Sequence, residues 1–191
     1  AASRAGSPRP SGGESWEYFL CVAFPHDEMK ILDYNRVVRD LNGRSPEAFL
    51  AAAGACFEVV PARSRVHPDG AGEFGMYLAG RWYRLRIRRE RMPADPVASL
   101  DVSLLQDNLL GPVLDIRDPR TDKRIDFVGG MRGLGELEKR VDSGEMAVAF
   151  ALFPTSMQAL MAVADANRVM PPKSTWFEPK LADGLVSHVL D

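Results

Sequence analysis

The hydrophobic positions fall into short runs separated by turn residues, and their spacing predicts a protein of mixed α/β class. Residues 18–24 form a nearly continuous apolar run and residues 29–32 a shorter one. Pro25-His26-Asp27-Glu28 between them has turn character, so the pattern predicts an antiparallel pair. Ser45-Pro46-Glu47 supplies an N-cap hydroxyl, a proline at the first helical position and early negative charge, which starts a helix running to about residue 55. A strand follows over 57–60. Residues 74–78 and 82–88 flank Ala79-Gly80-Arg81 as a hairpin. Its second strand alternates, with Tyr83, Leu85 and Ile87 on one face and Trp82, Arg84, Arg86 and Arg88 on the other.

Pro96 is expected to open a helix with Val97, Leu100 and Leu104 on its apolar face, ending near Gly111-Pro112. Gln106 and Asp107 read as its caps. Beyond it the pattern gives a strand over 124–128, a helix over 133–141, a fully apolar strand over 146–153, a helix over 156–166 and a closing strand over 185–190. A strand apolar on both faces and set between two helices predicts an α/β layer with locally parallel or mixed pairing. The expected architecture is therefore α/β in the mixed α+β sense: a mixed sheet with hairpins, and helices packed on it. Residues 1–15, with Arg4, Arg9, two prolines and three glycines, read as a flexible lead, and residues 16–191 as a single domain.

Composition narrows the function. A chain of 191 residues with 46% hydrophobic and 26% charged residues has the make-up of an ordinary globular protein. Its net charge of −2 argues against nucleic acid as a partner, so any anion site must be a local cluster of Arg and Lys. Cys21 and Cys56 both sit in apolar runs and read as buried thiols of a reducing compartment; cytoplasmic is the expected location. No apolar stretch has the length of a membrane span. His26, His67 and His188 lack the spacing of a metal triad.

Three polar segments could carry chemistry. In the first, Arg36 and Arg39 stand one helical turn apart and could grip one anion, with Asn42-Gly43 making a tight turn; a short capped helix with surface ion pairs is the plainer alternative. In the second, Arg120, Lys123 and Arg124 lead into a strand that carries Asp126 and ends at Gly129-Gly130. A glycine-rich turn into a helix presents backbone N–H groups to an anion, though neither the P-loop nor the Rossmann spacing is present. An ordinary strand-to-helix connection weighs equally. The third is Met170-Pro171-Pro172-Lys173-Ser174-Thr175-Trp176-Phe177-Glu178-Pro179-Lys180. It is stiffened by three prolines and carries two cations, two hydroxyls and two aromatics that could stack on a base or sugar. Its alternative is a loop anchored by Trp176 and Phe177 with solvated lysines. Asp101 and Asp126 are the carboxylates placed to act as general base or magnesium ligand.

These three blocks, 34–43, 118–130 and 170–180, resemble the signature segments of a widespread prokaryotic family catalogued as a domain of unknown function. The resemblance implies that this chain is the C-terminal portion of a longer protein whose first half is ParB/sulfiredoxin-like. ParB-like proteins include nucleotide hydrolases and free-serine kinases, and family members are often encoded near serine-biosynthesis genes. The expectation is a phosphate- or nucleotide-dependent small-molecule enzyme, a kinase of a hydroxyl compound such as free serine, using ATP, ADP or pyrophosphate with magnesium. Arg36, Arg120, Lys123, Arg124, Lys173 and Lys180 would neutralise phosphate charge; Ser174, Thr175 and the Gly129-Gly130 amides would orient its oxygens. The alternatives are a non-catalytic module sensing a phosphorylated metabolite or nucleotide, and DNA binding through Arg84, Arg86 and Arg88.

Overall fold

The computed structural model describes residues 15–178, 180, 184 and 186–189. The chain divides into two units, one formed by residues 30–178 and the other by residues 1–29 with 179–191.

The larger unit is built on a six-stranded sheet of order β3-β5-β4-β7-β2-β6. The strands are β2 (Tyr34–Val38), β3 (Phe57–Ala62), β4 (Glu73–Leu78), β5 (Arg81–Ile87), β6 (Ile125–Gly129) and β7 (Val148–Leu152). Their side chains alternate between two cores. Val38, Phe74, Met76, Leu85, Val148 and Phe150 face one side, where helix α1 (Pro46–Ala53), helix α2 (Asp101–Leu105) and helix α4 (Met157–Asp165) cover them. Val37, Tyr77, Trp82, Val128, Ala149 and Ala151 face the other, against Leu134 and Leu137 of helix α3 (Gly133–Asp142). A sheet covered on both faces needs strands apolar throughout, and β7 meets this with all five residues buried. The mixed α/β class follows from this layering, but the expected parallel pairing does not: β7 is antiparallel to both β2 and β4.

Local signals set most boundaries. Ser45 caps α1 by accepting from Ala48 N at 3.2 Å, and Ser156 caps α4 by accepting from Ala159 N at 3.0 Å. Three expectations are corrected. Residues 34–38, in the polar segment where a helical turn was expected, form β2; flanked by β6 and β7, it buries Asn35 and Arg36 along with its valines. The helix expected from Pro96 begins at Asp101. The Asp95 carboxylate accepts from the Val97 and Ala98 amides at 2.9 and 2.8 Å, which stabilises a turn first. After α2 the chain widens into a π-helical turn over Gln106–Leu110, in which the Gly111 amide donates to the Gln106 carbonyl at 2.8 Å.

The predicted pairing of 18–24 with 29–32 is the third. Strand β1 (Lys30–Leu32) pairs instead with β8 (Trp176–Glu178), setting Ile31 opposite Phe177 and Leu32 opposite Trp176. Cross-strand aromatic–aliphatic pairs of this kind stabilise a non-local ladder, and a turn signal between two apolar runs says nothing about them. In the smaller unit, residues 18–24 have no regular structure, and Cys21 is exposed where a buried thiol was expected; Cys56 is half-buried. Ser15–Glu17 forms a single 3-10 turn, and the Ser15 carbonyl lies 2.6 Å from His188 Nε2. The closing strand expected over 185–190 falls partly outside the described residues. Among the described residues no helix is long and apolar enough to cross a membrane.

Candidate functional site

Strand parity decides which groups can meet. In β2, Tyr34, Arg36 and Val38 share one face, and register places Arg36 opposite Phe127 of β6 and Phe150 of β7. Arg36 is thus inserted between two aromatic residues in the sheet, and only 4% of it is exposed. Its guanidinium donates through Nη1 to the Tyr34 carbonyl and through Nη2 to the Lys173 carbonyl, the latter at 2.8 Å. It also lies 5.4 Å from the Phe127 ring centroid and 5.9 Å from that of Tyr34. The Lys173 ammonium sits 5.6 and 5.8 Å from the same two rings. Two cations therefore share one aromatic floor, held by carbonyl dipoles and ring quadrupoles. Among the described residues no carboxylate pairs with either. Burial pulls the Arg36 pKa down to about 10, so it stays charged at neutral pH.

Arg36 forms part of the wall of a cavity of about 470 Å³. Val102, Ser103, Gln106, Asp107 and Leu110 of α2 and the π-helical turn form one wall, and Arg117, Asp118, Pro119 and Arg120 a second. Pro171 and Pro172 close it beside Phe127. The Asp-Pro-Arg turn is self-locked: Arg120 Nε and Nη2 both donate to the Asp118 carboxylate, which is held down to about 2. Arg117 pairs with Asp115 at 3.0 Å and is almost fully exposed. Lys173 adopts φ 57°, a left-handed conformation unusual for a side-chain-bearing residue, and the loop around it is pinned twice. Ser174 Oγ donates to the Pro171 carbonyl at 2.6 Å, and Thr155 Oγ1 donates to the Ser174 carbonyl at 2.8 Å.

Of the residues singled out from sequence, Arg36, Arg120 and Lys173 are the cations at or beside this cavity. The others are engaged elsewhere. Arg39 lies past the end of β2 and is exposed; strand geometry removes the helical-turn pairing with Arg36. Asn42, at φ 54°, makes a turn and donates to the Val113 carbonyl at 3.2 Å. Arg124 clamps the chain by donating to the Leu114 and Asp115 carbonyls and pairing with Asp122, while Lys123 is exposed. Ser174 is 5% exposed and spends its hydroxyl on the loop, beside a half-buried Thr175. Lys180 is exposed and belongs to the smaller unit.

The glycines and aromatics have structural work. A Cβ on Gly129 would come within 2.6 Å of the Trp176 ring, and one on Gly130 would collide with Asp33 Oδ1. The Gly130 amide already donates to the Asp33 carbonyl at 2.9 Å, so it is not available to cradle phosphate. Trp176 packs edge-on against Tyr34 at 5.2 Å and donates to Glu178 Oε1 at 2.6 Å, and Phe177 sits in the β1–β8 ladder. Gly129→Ala should therefore displace Trp176 and cost about 1–3 kcal/mol in urea unfolding, with near-UV dichroism of the indole lost in parallel.

Neither proposed base reaches the cavity. Asp126 follows the opposite strand parity and faces α3. Burial pushes its carboxyl up, but the 2.6 Å pair with Arg140 and the Phe127 amide outweigh this and leave it below the usual range. Asp101, at the start of α2, accepts from the Gly72 amide at 2.7 Å and borders a different, smaller cavity. Burial raises it to about 6. A carboxyl whose pKa is higher folded than unfolded weakens the fold when ionised. Stability should rise as pH falls from 7 through 6 towards 4, by at most about 3 kcal/mol. Asp101→Asn, which retains an acceptor for Gly72, should flatten that slope in urea titrations at pH 7.5 and 5.

Sequence reading missed Gln106 and Asp107 as cavity residues, because caps of a regular helix would point elsewhere. The π-helical turn brings both to the cavity wall, Gln106 half-buried and Asp107 exposed. Gln106 is anchored through Nε2 to the Ile116 carbonyl at 2.6 Å, while its Oε1 is buried without a partner. Of the arginines considered for DNA, Arg84 and Arg86 pair with Glu73 and Arg84 also with Asp69, while Arg88 donates to the Gly54 carbonyl.

A family model described as a protein of unknown function (DUF1015) matches residues 1–103. The chain belongs to the DUF1015 family. The matched range includes Arg36 and α2 up to Ser103, and ends before the second and third polar segments. No curated protein matches this DUF1015 chain. Among solved structures it is similar to a mutant free serine kinase in complex with AMP, at 15% identity and a TM-score of 0.46, over 79% of this chain and 55% of that one. A free serine kinase in complex with AMP gives 13% and 0.45, over 79% and 54%. A mutant in complex with ADP gives 15% and 0.43. The DUF1015 chain spans about half the length of these kinases.

Proposed function

We propose that the 470 Å³ cavity binds a phosphorylated small molecule of nucleotide size. The observation that carries this is Arg36: a buried guanidinium, backed by a lysine over the same rings, with carbonyls and aromatic faces but no described carboxylate to balance it. A buried charge left in that state is costly, and a phosphate would supply the missing countercharge. Arg120, at the mouth, is already paired with Asp118 and adds no unbalanced charge; the apolar walls from Val102, Leu110, Pro119, Pro171 and Pro172 suit a base or sugar face.

Phosphoryl transfer to a small hydroxyl compound such as free serine is the catalytic form of this reading. Asp107 is the carboxylate for it, since Asp118 is committed to Arg120 and Asp101 and Asp126 lie outside. Asp107 could hold magnesium together with phosphate oxygens, and the ion would add charge neutralisation. Calorimetric titration with AMP and ADP tests the binding: saturable one-to-one binding is expected, and no heat or shift at millimolar nucleotide would overturn it. Incubation of the chain with serine, magnesium and ATP, ADP or pyrophosphate then separates the two forms. Phosphoserine supports transfer, and binding without it supports a sensing module.

A further inference from the structure

The second cavity has the inverse chemistry. It encloses about 270 Å³ between Ala71, Met92, Leu100, Phe153, Pro154 and Ala159, with the Asp101 carboxyl in its wall. The hydroxyls there are already used: Ser99 donates to the Pro96 carbonyl, Thr155 to the Ser174 carbonyl, and Ser156 caps α4. Asp101 has one hydrogen bond, to the Gly72 amide, and pairs with no cation among the described residues. Among the described residues no other charged side chain lines the cavity, and none shifts Asp101 by its charge. An apolar chamber with a single unneutralised carboxyl is complementary to a compact organic cation.

We propose that this cavity is a separate binding site for a small primary ammonium compound with an apolar body. Its ammonium meets Asp101 Oδ2, and its body fills the space between Met92, Phe153 and Ala159. The site stands independently of the phosphate reading, although the two cavities are neighbours. α2 gives Asp101 to one and Val102 and Ser103 to the other, and the Thr155–Ser174–Pro171 hydrogen bonds join their walls.

Phenethylammonium and phenethyl alcohol differ in charge but little in shape, so they are the probes. Titration of the 191-residue chain, followed by amide chemical shifts, should show the amine binding at pH 7.5 at least about tenfold more tightly than the alcohol. Shifts should centre on Gly72 and Asp101. Amine affinity should fall as pH drops below 6, where Asp101 takes up its proton. Asp101→Asn should erase the preference for the amine. Ala159→Met, which fills the chamber without touching the carboxyl, should weaken both probes. Equal binding of amine and alcohol, no amine binding to the wild type, or an unchanged preference in Asp101→Asn would each overturn the site.

Discussion

Replacing Arg36 with methionine should raise the dissociation constant for ADP by at least about 100-fold while leaving the chain as stable as before, or more stable. The two halves of this result have one cause. Arg36 is 4% exposed, and among the described residues its charge is balanced by carbonyl oxygens and ring faces alone. Methionine fills a similar volume between Phe127 and Phe150 and removes the desolvated charge, which should gain about 1–3 kcal/mol in urea unfolding. The same change deletes the fork that would meet phosphate. Arg36→Lys keeps the charge but not the two-pronged donor and should lose affinity by about tenfold. A large loss of stability in Arg36→Met would mean that the guanidinium is a structural clamp.

Phe150→Ala should be the most damaging core substitution, costing about 3–5 kcal/mol out of a total on the order of 10. Phe150 lies at the centre of β7, is fully buried, and pairs with Met76 on one side and Arg36 on the other. Rigid strand neighbours on both sides leave the cavity little room to collapse. The urea midpoint should drop sharply with an unchanged slope, and residual folded protein should bind ADP more weakly because Arg36 loses one wall.

How much of this could be read from sequence depended on whether a signal was local. The hairpin expected over 74–88, the Ser45 cap and the apolar run that holds β7 all appear within a residue or two of their expected places, since turn residues, capping hydroxyls and periodicity act over a few residues. β2 was hidden because a strand covered on both faces loses its alternation, and its polar Asn35 and Arg36 disguised it further. The pairing of β1 with β8 spans most of the chain and has no local marker. The site was legible only as positive charge: Arg36, Arg120 and Lys173 stand out by type. Parity removed Asp126, which lies one residue from Phe127 and therefore on the other face of the sheet. Gln106 and Asp107 depend on a π-helical turn that composition does not announce.

The central claim is that the unbalanced charge of Arg36 takes up a phosphate, and the Arg36 side chain can report this itself. With the chain labelled with ¹⁵N, its Nε–Hε resonance should move saturably as ADP or inorganic phosphate is added, with the Lys173 amide following on the same isotherm. Shifts confined to exposed arginines such as Arg117, with Arg36 unmoved at saturating ligand, would contradict it.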